Sequence, residues 1–375
     1  MVPVMSYVMT SGLDHIVGSA RAVGAAADLH DPDRHGDQDA APGMVDFAVN
    51  VRGAPPAFVI DAVRARLDDL AHYPARTDEL AAIDAVGRAH GRDRDEIMLL
   101  SGAADGFEML PRLRPKHAAL IQPSFTEPEL ALRAAGIRLT QVELAPPWRL
   151  ADAAVPDDAD LVVLGNPTNP TSVLHPRATI EALRRPGRLI VVDEAFADLT
   201  VGAGGMPEPE SMAAERLPDV IVIRSVTKTF GLAGLRAGYL LAAPQVLDRL
   251  RAGRRPWPLS TLALAALTEC VGPAGRRYGI EQSSAVAAER DHLCARLTEI
   301  GVPVAVAPAA PFVLIEVADG LAVKAGLAGR GFAVRSCANF IGLGDDHLRL
   351  AVRPTAQVDA LVSAIDEVRK ELGHG

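Results

Sequence analysis

From about residue 97 the chain alternates short apolar runs with stretches of helical spacing. The runs are IMLL (97–100), AALI (118–121), LVVLG (161–165), LIVVD (189–193), VIVI (220–223) and GYLLA (238–242). Each is nearly continuous and bounded by turn residues, which is how a strand buried on both faces reads. Their alternation with helices predicts an α/β fold, a mainly parallel sheet covered by helices. Polar residues cluster just after the runs, at the strand ends where such sheets place their ligands. Upstream, residues 57–72 have apolar positions at helical spacing and predict a helix stopped before Pro74. Beyond about 275 the pattern predicts a long helix from Ala285 to Ile300 and a strand at 312–317. A helix, two strands (332–336 and 347–352) and a final helix follow. That set predicts a smaller α+β domain, completed by residues near the N-terminus. Residues 28–43 are rich in Asp, Pro and Gly and read as a loop or mobile arm. The expected division is an arm at 1–45, a segment at 46–74 joining the small domain, a large domain at 75–272 and a small domain at 273–375.

Composition narrows the function classes. The 375 residues carry a formal net charge of -9, which argues against a general nucleic-acid binder while leaving room for a local cationic pocket. No apolar run reaches membrane-spanning length, and the Ala-rich stretch from Leu262 is interrupted by Glu269. The cysteines, Cys270, Cys294 and Cys337, are far apart and form no CxxC pair. Neither a disulfide framework nor a metal site is expected. The first arginine is Arg21, so no secretory leader is expected, and a cytoplasmic location fits best.

The chemistry gathers around Lys228. The run VIVI leads into R-S-V-T-K-T-F-G-L-A-G-L-R-A-G-Y (224–239). Alone, such a lysine reads more readily as a surface residue on a loop. Its neighbours argue otherwise. Ser225 and Thr227 are small hydroxyl donors, Arg236 is a second cation, and Gly231, Gly234 and Gly238 let the backbone pass close to a ligand. Lysine can bond covalently to an aldehyde, and a nearby cation lowers its pKa toward nucleophilicity. Asp193 ends LIVVD, and a carboxylate at the end of a buried strand is costly unless paired. A protonated pyridine nitrogen would pair it and keep a cofactor ring electron-poor. Asn169, in N-P-T-N-P, can bond a phenolic oxygen. Gly102, Ala103 and Ala104 leave backbone N–H groups at a helix start, a phosphate cradle unlike the P-loop or dinucleotide patterns. Phe125 can stack on an aromatic ring. Together these are the parts that pyridoxal 5′-phosphate (PLP) requires, with Lys228 and Asp193 as the expected catalytic residues.

On these residues the sequence resembles the fold-type I PLP enzymes, the class I/II aminotransferase superfamily, over nearly all of the chain after about residue 45. S-x-T-K with G-L-R-x-G-Y, N-P-T-N-P and D-E-A-F resemble the group containing histidinol-phosphate aminotransferase. D-F-A-V-N (46–50), P-W (256–257), R-S-C-A-N-F (335–340) and L-R-L-A-V-R (348–353) resemble the L-threonine-O-3-phosphate decarboxylases of cobalamin biosynthesis. The resemblance implies a large domain with a mainly parallel seven-stranded sheet between helices. It implies that Arg349 pairs with the substrate α-carboxylate, that Arg335 holds a substrate phosphate and that Asn50 lies near the substrate. Tyr73 would reach the cofactor phosphate of a partner subunit, so a homodimer with shared active sites is implied. His35, followed by Gly36, resembles a substrate-contacting pair, although its spacing to Asp46 is short. Phe196 stands where many relatives carry tyrosine and cannot bond the phenolic oxygen, which shifts that duty to Asn169. The expected substrate is a small phosphorylated amino acid or amine. Decarboxylation of L-threonine O-3-phosphate to (R)-1-amino-2-propanol phosphate is the reading this resemblance favours. The alternative is transamination of histidinol phosphate or an aromatic amino acid with 2-oxoglutarate. A third class, a catalytically silent regulator of the same fold, is disfavoured by retention of both Lys228 and Asp193.

Overall fold

The computed structural model describes residues 29–31 and 36–374. Eleven strands occur among them: β1 (Val45–Phe47), β2 (Ile97–Leu100), β3 (His117–Gln122), β4 (Arg138–Glu143), β5 (Leu161–Gly165), β6 (Leu189–Asp193), β7 (Val220–Ser225), β8 (Gly238–Leu241), β9 (Phe312–Glu316), β10 (Phe332–Ser336) and β11 (His347–Ala351). The helices that bear on the argument are α1 (Ala57–Arg64), α2 (Arg76–His90), α3 (Ala103–Met109), α4 (Glu127–Ala134), α5 (Arg177–Glu181), α6 (Pro244–Arg251), α7 (Thr261–Val271), α8 (Pro273–Glu299), α9 (Gly320–Gly329) and α10 (Thr355–Glu371).

Seven strands form one sheet in the order β2-β8-β7-β6-β5-β3-β4. β3, β4, β5, β6 and β7 are mutually parallel, and β8 runs antiparallel to both β7 and β2. The expected α/β architecture with a seven-stranded, mainly parallel sheet is present. Alternate residues of each central strand feed two separate cores, as the two-residue repeat of a strand demands. Val162, Leu164, Ile190, Val192 and Val222 pack on one face with Ala82 and Val86 of α2 and Leu264 and Leu267 of α7. Leu161, Val163, Val191, Ile221 and Ile223 pack on the other with Phe107 of α3 and Val246 and Leu247 of α6. Both faces are therefore dry, which explains why these strands read as continuous apolar runs.

A second sheet has the order β1-β10-β11-β9. β1 joins it in parallel with β10, pairing Phe47 with Val334. One face of this sheet packs on α8 and α10 through Phe47, Val313, Ile315, Leu348, Leu350, Leu293, Leu297, Leu361 and Ile365.

Three local expectations change. The helix expected at 57–72 stops at Arg64, and a 3-10 turn (Leu67–Ala71) follows. Arg66 has left the helical region, at φ -112° and ψ 9°, and its guanidinium bonds Asp69 at 2.5 Å and Asp78 of α2 at 2.7 Å. The long helix begins at Pro273 rather than Ala285. Its first three turns carry Gly275, Gly279 and several polar residues, which hid them. β4 was not foreseen. It sits at the sheet edge with only Val142 buried, so it never presents a continuous apolar run.

Candidate active site

The C-terminal ends of β5, β6 and β7 converge on a cavity of about 390 Å³. Strand register places the functional groups. Gly165 pairs with Asp193, Asp193 with Ile223, and Ser225 with Gly238. Asn169 and Lys228 follow in the loops just beyond. α3 points its N-terminus at the same edge, because β2 lies against β8 with Leu100 opposite Gly238. The cavity is lined by Asn50, Ala103, Ala104, Phe125, Asn169, Asp193, Phe196, Ser225, Thr227, Lys228, Arg236 and Arg349, among others. Twelve residues singled out from distant sequence motifs thus line one cavity.

Lys228 is half-buried in the cavity lining. Burial, with the charges of Arg349 and Arg236, depresses its pKa, and Asp193 and Glu127 oppose that shift. The loop carrying it is tied down by Arg52, whose backbone N–H donates to Lys228 O at 2.9 Å. Asp193 accepts from the Ala195 N–H at 3.1 Å. Burial raises its carboxyl to about 6 against that bond and the attraction of Lys228. Such a carboxylate is short of a cation, and a pyridinium N–H is a suitable partner.

The phosphate end is built from Gly102, Ser225, Thr227 and Arg236. Gly102 caps α3 at φ 81° and ψ 167°. A Cβ there would lie 2.7 Å from Arg236 Nη2, so only glycine lets the guanidinium lie against the helix N-terminus. Ser225 Oγ and Thr227 Oγ1 are 2.7 Å apart, which sets two hydroxyls beside those N–H groups. Helix start, paired hydroxyls and arginine make a fitting anion cradle. The cofactor of fold-type I enzymes is PLP, and these donors fit its phosphate while Lys228, Asp193 and Asn169 fit its aldehyde, ring nitrogen and phenolic oxygen.

Arg349 lies at the opposite wall. Its Nη1 donates to Asn169 Oδ1 at 2.6 Å and its Nη2 to Ala48 O at 2.5 Å. With the Asn50 amide oxygen turned toward it, Asn50 accepts from Nε and Nη1 at 3.3 and 3.1 Å. The guanidinium also stacks over Phe312, 5.5 Å from the ring centroid. Burial lowers its pKa to about 10, so it stays charged at neutral pH. Asn169, expected to bond a cofactor's phenolic oxygen, orients this arginine through its Oδ1, which leaves its NH2 as the donor end. Phe196 packs edge-on against Phe312 at 5.1 Å and makes no polar contact.

Arg335 lies directly across from Arg349, paired in the β10–β11 register. It does not line the cavity itself. It is 3% exposed, and its Nη2 donates to Asn339 Oδ1 at 2.8 Å. Tyr73 is outside the cavity, 76% exposed and stacked on Trp257 with ring centroids 4.2 Å apart. His35 lies outside the described residues.

One functional element escaped sequence reading. Arg224, the residue before Ser225, is buried and bonds Glu194 at 2.9 Å and Glu208 at 2.7 Å. Glu194 also accepts from Ser211 Oγ at 2.7 Å and Met212 N–H at 2.6 Å. This cluster locks the residue after Asp193 to the residue before Ser225 beneath the cavity floor. A charged residue inside an apolar run, in VIVIRS, was the available signal.

A lysine, a carboxylate and an anion cradle gathered at one sheet edge fit a PLP-dependent enzyme. The sequence model of aminotransferase class I and II matches residues 43–365, and the chain belongs to that family. A Mycobacterium tuberculosis protein named histidinol-phosphate aminotransferase is 51% identical over 340 residues, covering 90% of this chain and 91% of its own. Threonine-phosphate decarboxylase of Salmonella typhimurium is 28% identical over 338 residues, covering 87% and 91%. Among solved structures, histidinol-phosphate aminotransferase from Clostridium acetobutylicum superposes with a TM-score of 0.79 at 24% identity, over 88% of this chain and all of that one. The same enzyme from Sinorhizobium meliloti, solved with pyridoxal-5′-phosphate, also gives 0.79, at 22% identity over 94% of this chain and all of that one. These two carry the fold. Among the described residues no helix is long and apolar enough to cross a membrane.

Proposed function

We propose that this chain is a PLP-dependent aminotransferase whose amino substrate is phosphorylated, with histidinol phosphate as the candidate and 2-oxoglutarate as the amino acceptor. The carrying observation is the cross-strand pair Arg335 and Arg349, two buried arginines of which Arg349 lines the cavity with Lys228. Forked guanidiniums suit phosphate and carboxylate. The relative at 51% identity supports this reaction over the decarboxylation that the sequence motifs favoured, whose relative stands at 28%.

When bound, PLP supplies an electron sink for the bond broken at the substrate's amino-bearing carbon. Lys228 holds the cofactor and then moves the proton at that carbon, a task helped by its depressed pKa. Asp193 keeps the ring nitrogen protonated. Gly102, Ala103, Ala104, Ser225, Thr227 and Arg236 hold the phosphate, Phe125 covers the ring, and Asn169 reaches its phenolic oxygen. Arg349, steadied by Asn50, takes the anion next to the reacting carbon, the phosphate of histidinol phosphate or the near carboxylate of 2-oxoglutarate, and Arg335 takes the distal carboxylate of 2-oxoglutarate. The orientation these two impose selects the bond that breaks. The enzyme acts as a homodimer; the exposed apolar side chains of Leu67, Leu70, Tyr73 and Trp257, the last two stacked on each other, support this.

A second reading, decarboxylation of threonine phosphate, is supported by the motif R-S-C-A-N-F and by Phe196, an apolar ring at a position where many aminotransferases carry tyrosine. The test is direct. Purified holoenzyme is given histidinol phosphate with 2-oxoglutarate, and glutamate is measured; separately it is given threonine phosphate, and released CO₂ is measured. Glutamate without CO₂ is expected. CO₂ without glutamate would replace this function with the second reading.

A further inference from the structure

Ser172 lies in the loop after β5 that also carries Asn169. This loop closes on itself, with Thr168 N–H donating to Val173 O at 2.8 Å and Ser172 N–H donating to Thr168 O at 2.7 Å. Ser172 is fully buried and holds φ at 66°, a left-handed conformation that an L side chain adopts at a cost. Its hydrogen bonds offset that cost. The Ser172 Oγ accepts from Ala310 N–H at 2.8 Å and from Ala309 N–H at 3.1 Å, and its carbonyl accepts from the same Ala309 N–H at 2.9 Å. Ala309 and Ala310 lie in the segment that leads into β9. Arg290 of α8 holds the carbonyl side of that segment, its Nη1 donating to Ala309 O at 2.9 Å.

The pinned segment ends on Phe312, the ring over which Arg349 stacks. Ala310 and Phe312 share one small apolar cluster with Ala195 and Phe196. The pinning loop carries Asn169, whose Oδ1 accepts from Arg349 Nη1. Ser172 therefore joins the two supports of one guanidinium, its polar acceptor beside the first sheet and its aromatic platform in the second. We infer that Ser172 is a positioning residue for Arg349: its hydroxyl fixes the spacing between Asn169 and Phe312 and so presets the guanidinium for an anion. This rests on the reading of Arg349 as the site of the anion next to the reacting carbon. Without the hydroxyl, the N–H of the buried Ala310 loses its acceptor, and the segment must shift to find another. Arg349 then has to be ordered by the ligand itself. Ordering one rotamer-rich side chain on binding corresponds to about three- to tenfold in affinity. The hydrogen bonds that close the loop do not involve the hydroxyl, so Asn169 stays in place and cofactor binding changes little.

The probe is glutarate, which has the carbon skeleton and both carboxylates of 2-oxoglutarate but no keto group, so it binds the PLP-loaded enzyme without reacting. Its affinity is measured by calorimetric titration, and that of PLP by titration of the apoenzyme. Two variants separate backbone strain from the hydroxyl. Ser172→Ala keeps the left-handed strain and loses the hydroxyl, whereas Ser172→Gly loses the hydroxyl and relieves the strain. Ser172→Gly is expected to be the more thermally stable of the two. Both should nevertheless bind glutarate about three- to tenfold more weakly than wild type, with PLP affinity within about twofold. In turnover the loss should appear in KM for 2-oxoglutarate, with kcat within about twofold. Glutarate binding by Ser172→Gly at the wild-type level would overturn the inference, because the hydroxyl would then do nothing for Arg349. PLP binding weakened as much as glutarate binding would overturn it too, since the change would be a general distortion. If Arg349→Ala does not weaken glutarate, the underlying reading of Arg349 as an anion site fails and takes this inference with it.

Discussion

Gly102→Ala is the sharpest probe of the cofactor cradle. Gly102 sits at φ 81° and ψ 167°, a region essentially restricted to glycine, where another residue costs about 1–3 kcal/mol. The added methyl would also lie 2.7 Å from Arg236 Nη2, inside van der Waals contact. Arg236 ends a flexible side chain, so it will retreat rather than the backbone. Its retreat takes the guanidinium from the phosphate, and a hydrogen bond to a charged group contributes about 1.5–3 kcal/mol. That converts to a loss of about ten- to hundredfold in PLP affinity. The assay is fluorimetric titration of the apoenzyme with PLP. Gly91→Ala serves as the control. Gly91 caps α2 at φ 65° with nothing within 4 Å of the added methyl, so it incurs backbone strain without touching the cradle. The expected result is similar thermal destabilisation in both variants and weakened PLP binding in Gly102→Ala alone. If Gly102→Ala binds PLP within about twofold of wild type, Arg236 does not hold the phosphate.

Four other outcomes are expected. In the apoenzyme the depressed pKa of Lys228 means that the unfolded chain binds the extra proton between the folded value and the ordinary lysine value. Stability from this group should therefore rise with pH across that window, and denaturant titrations of Lys228→Met should show the rise removed. Asp193 has the opposite slope, because its folded pKa of about 6 lies above the unfolded value. Apoenzyme stability should fall as pH rises from about 4 to about 6, and Asp193→Asn should flatten that fall. Arg224→Met leaves the buried Glu194 and the half-buried Glu208 without their cation and should destabilise the fold by about 3 kcal/mol, read by chemical denaturation. Tyr73→Phe should weaken PLP binding several-fold in the dimer with no change in thermal stability; an unchanged PLP affinity would show that the hydroxyl does not reach a partner's cofactor.

Much of this protein was legible in its order of residues, for a physical reason. A strand dry on both faces must be apolar throughout, so β5, β6 and β7 announced themselves, and polar groups directly after them had to lie at one sheet edge. Lys228, Asp193, Asn169 and Arg236 each meant little alone, and their joint fit to one cofactor carried the reading. Elements with a wet face were harder. β4 has one buried residue, and the break after α1 depends on Arg66 reaching two aspartates, one of them in the next helix. Contacts between residues distant in sequence stayed hidden until folding brought them together. Asn169 orienting Arg349, the Arg224 cluster beneath the cavity, and Asp39 set between Arg335 and Lys324 all join separate elements. No periodicity encodes such pairings, because charge neutralisation depends on distance in space. The cofactor could thus be read from local motifs, whereas the setting of Arg349 against Asn169, Asn50 and Ala48 joins elements far apart in the chain and only the tertiary structure decided it.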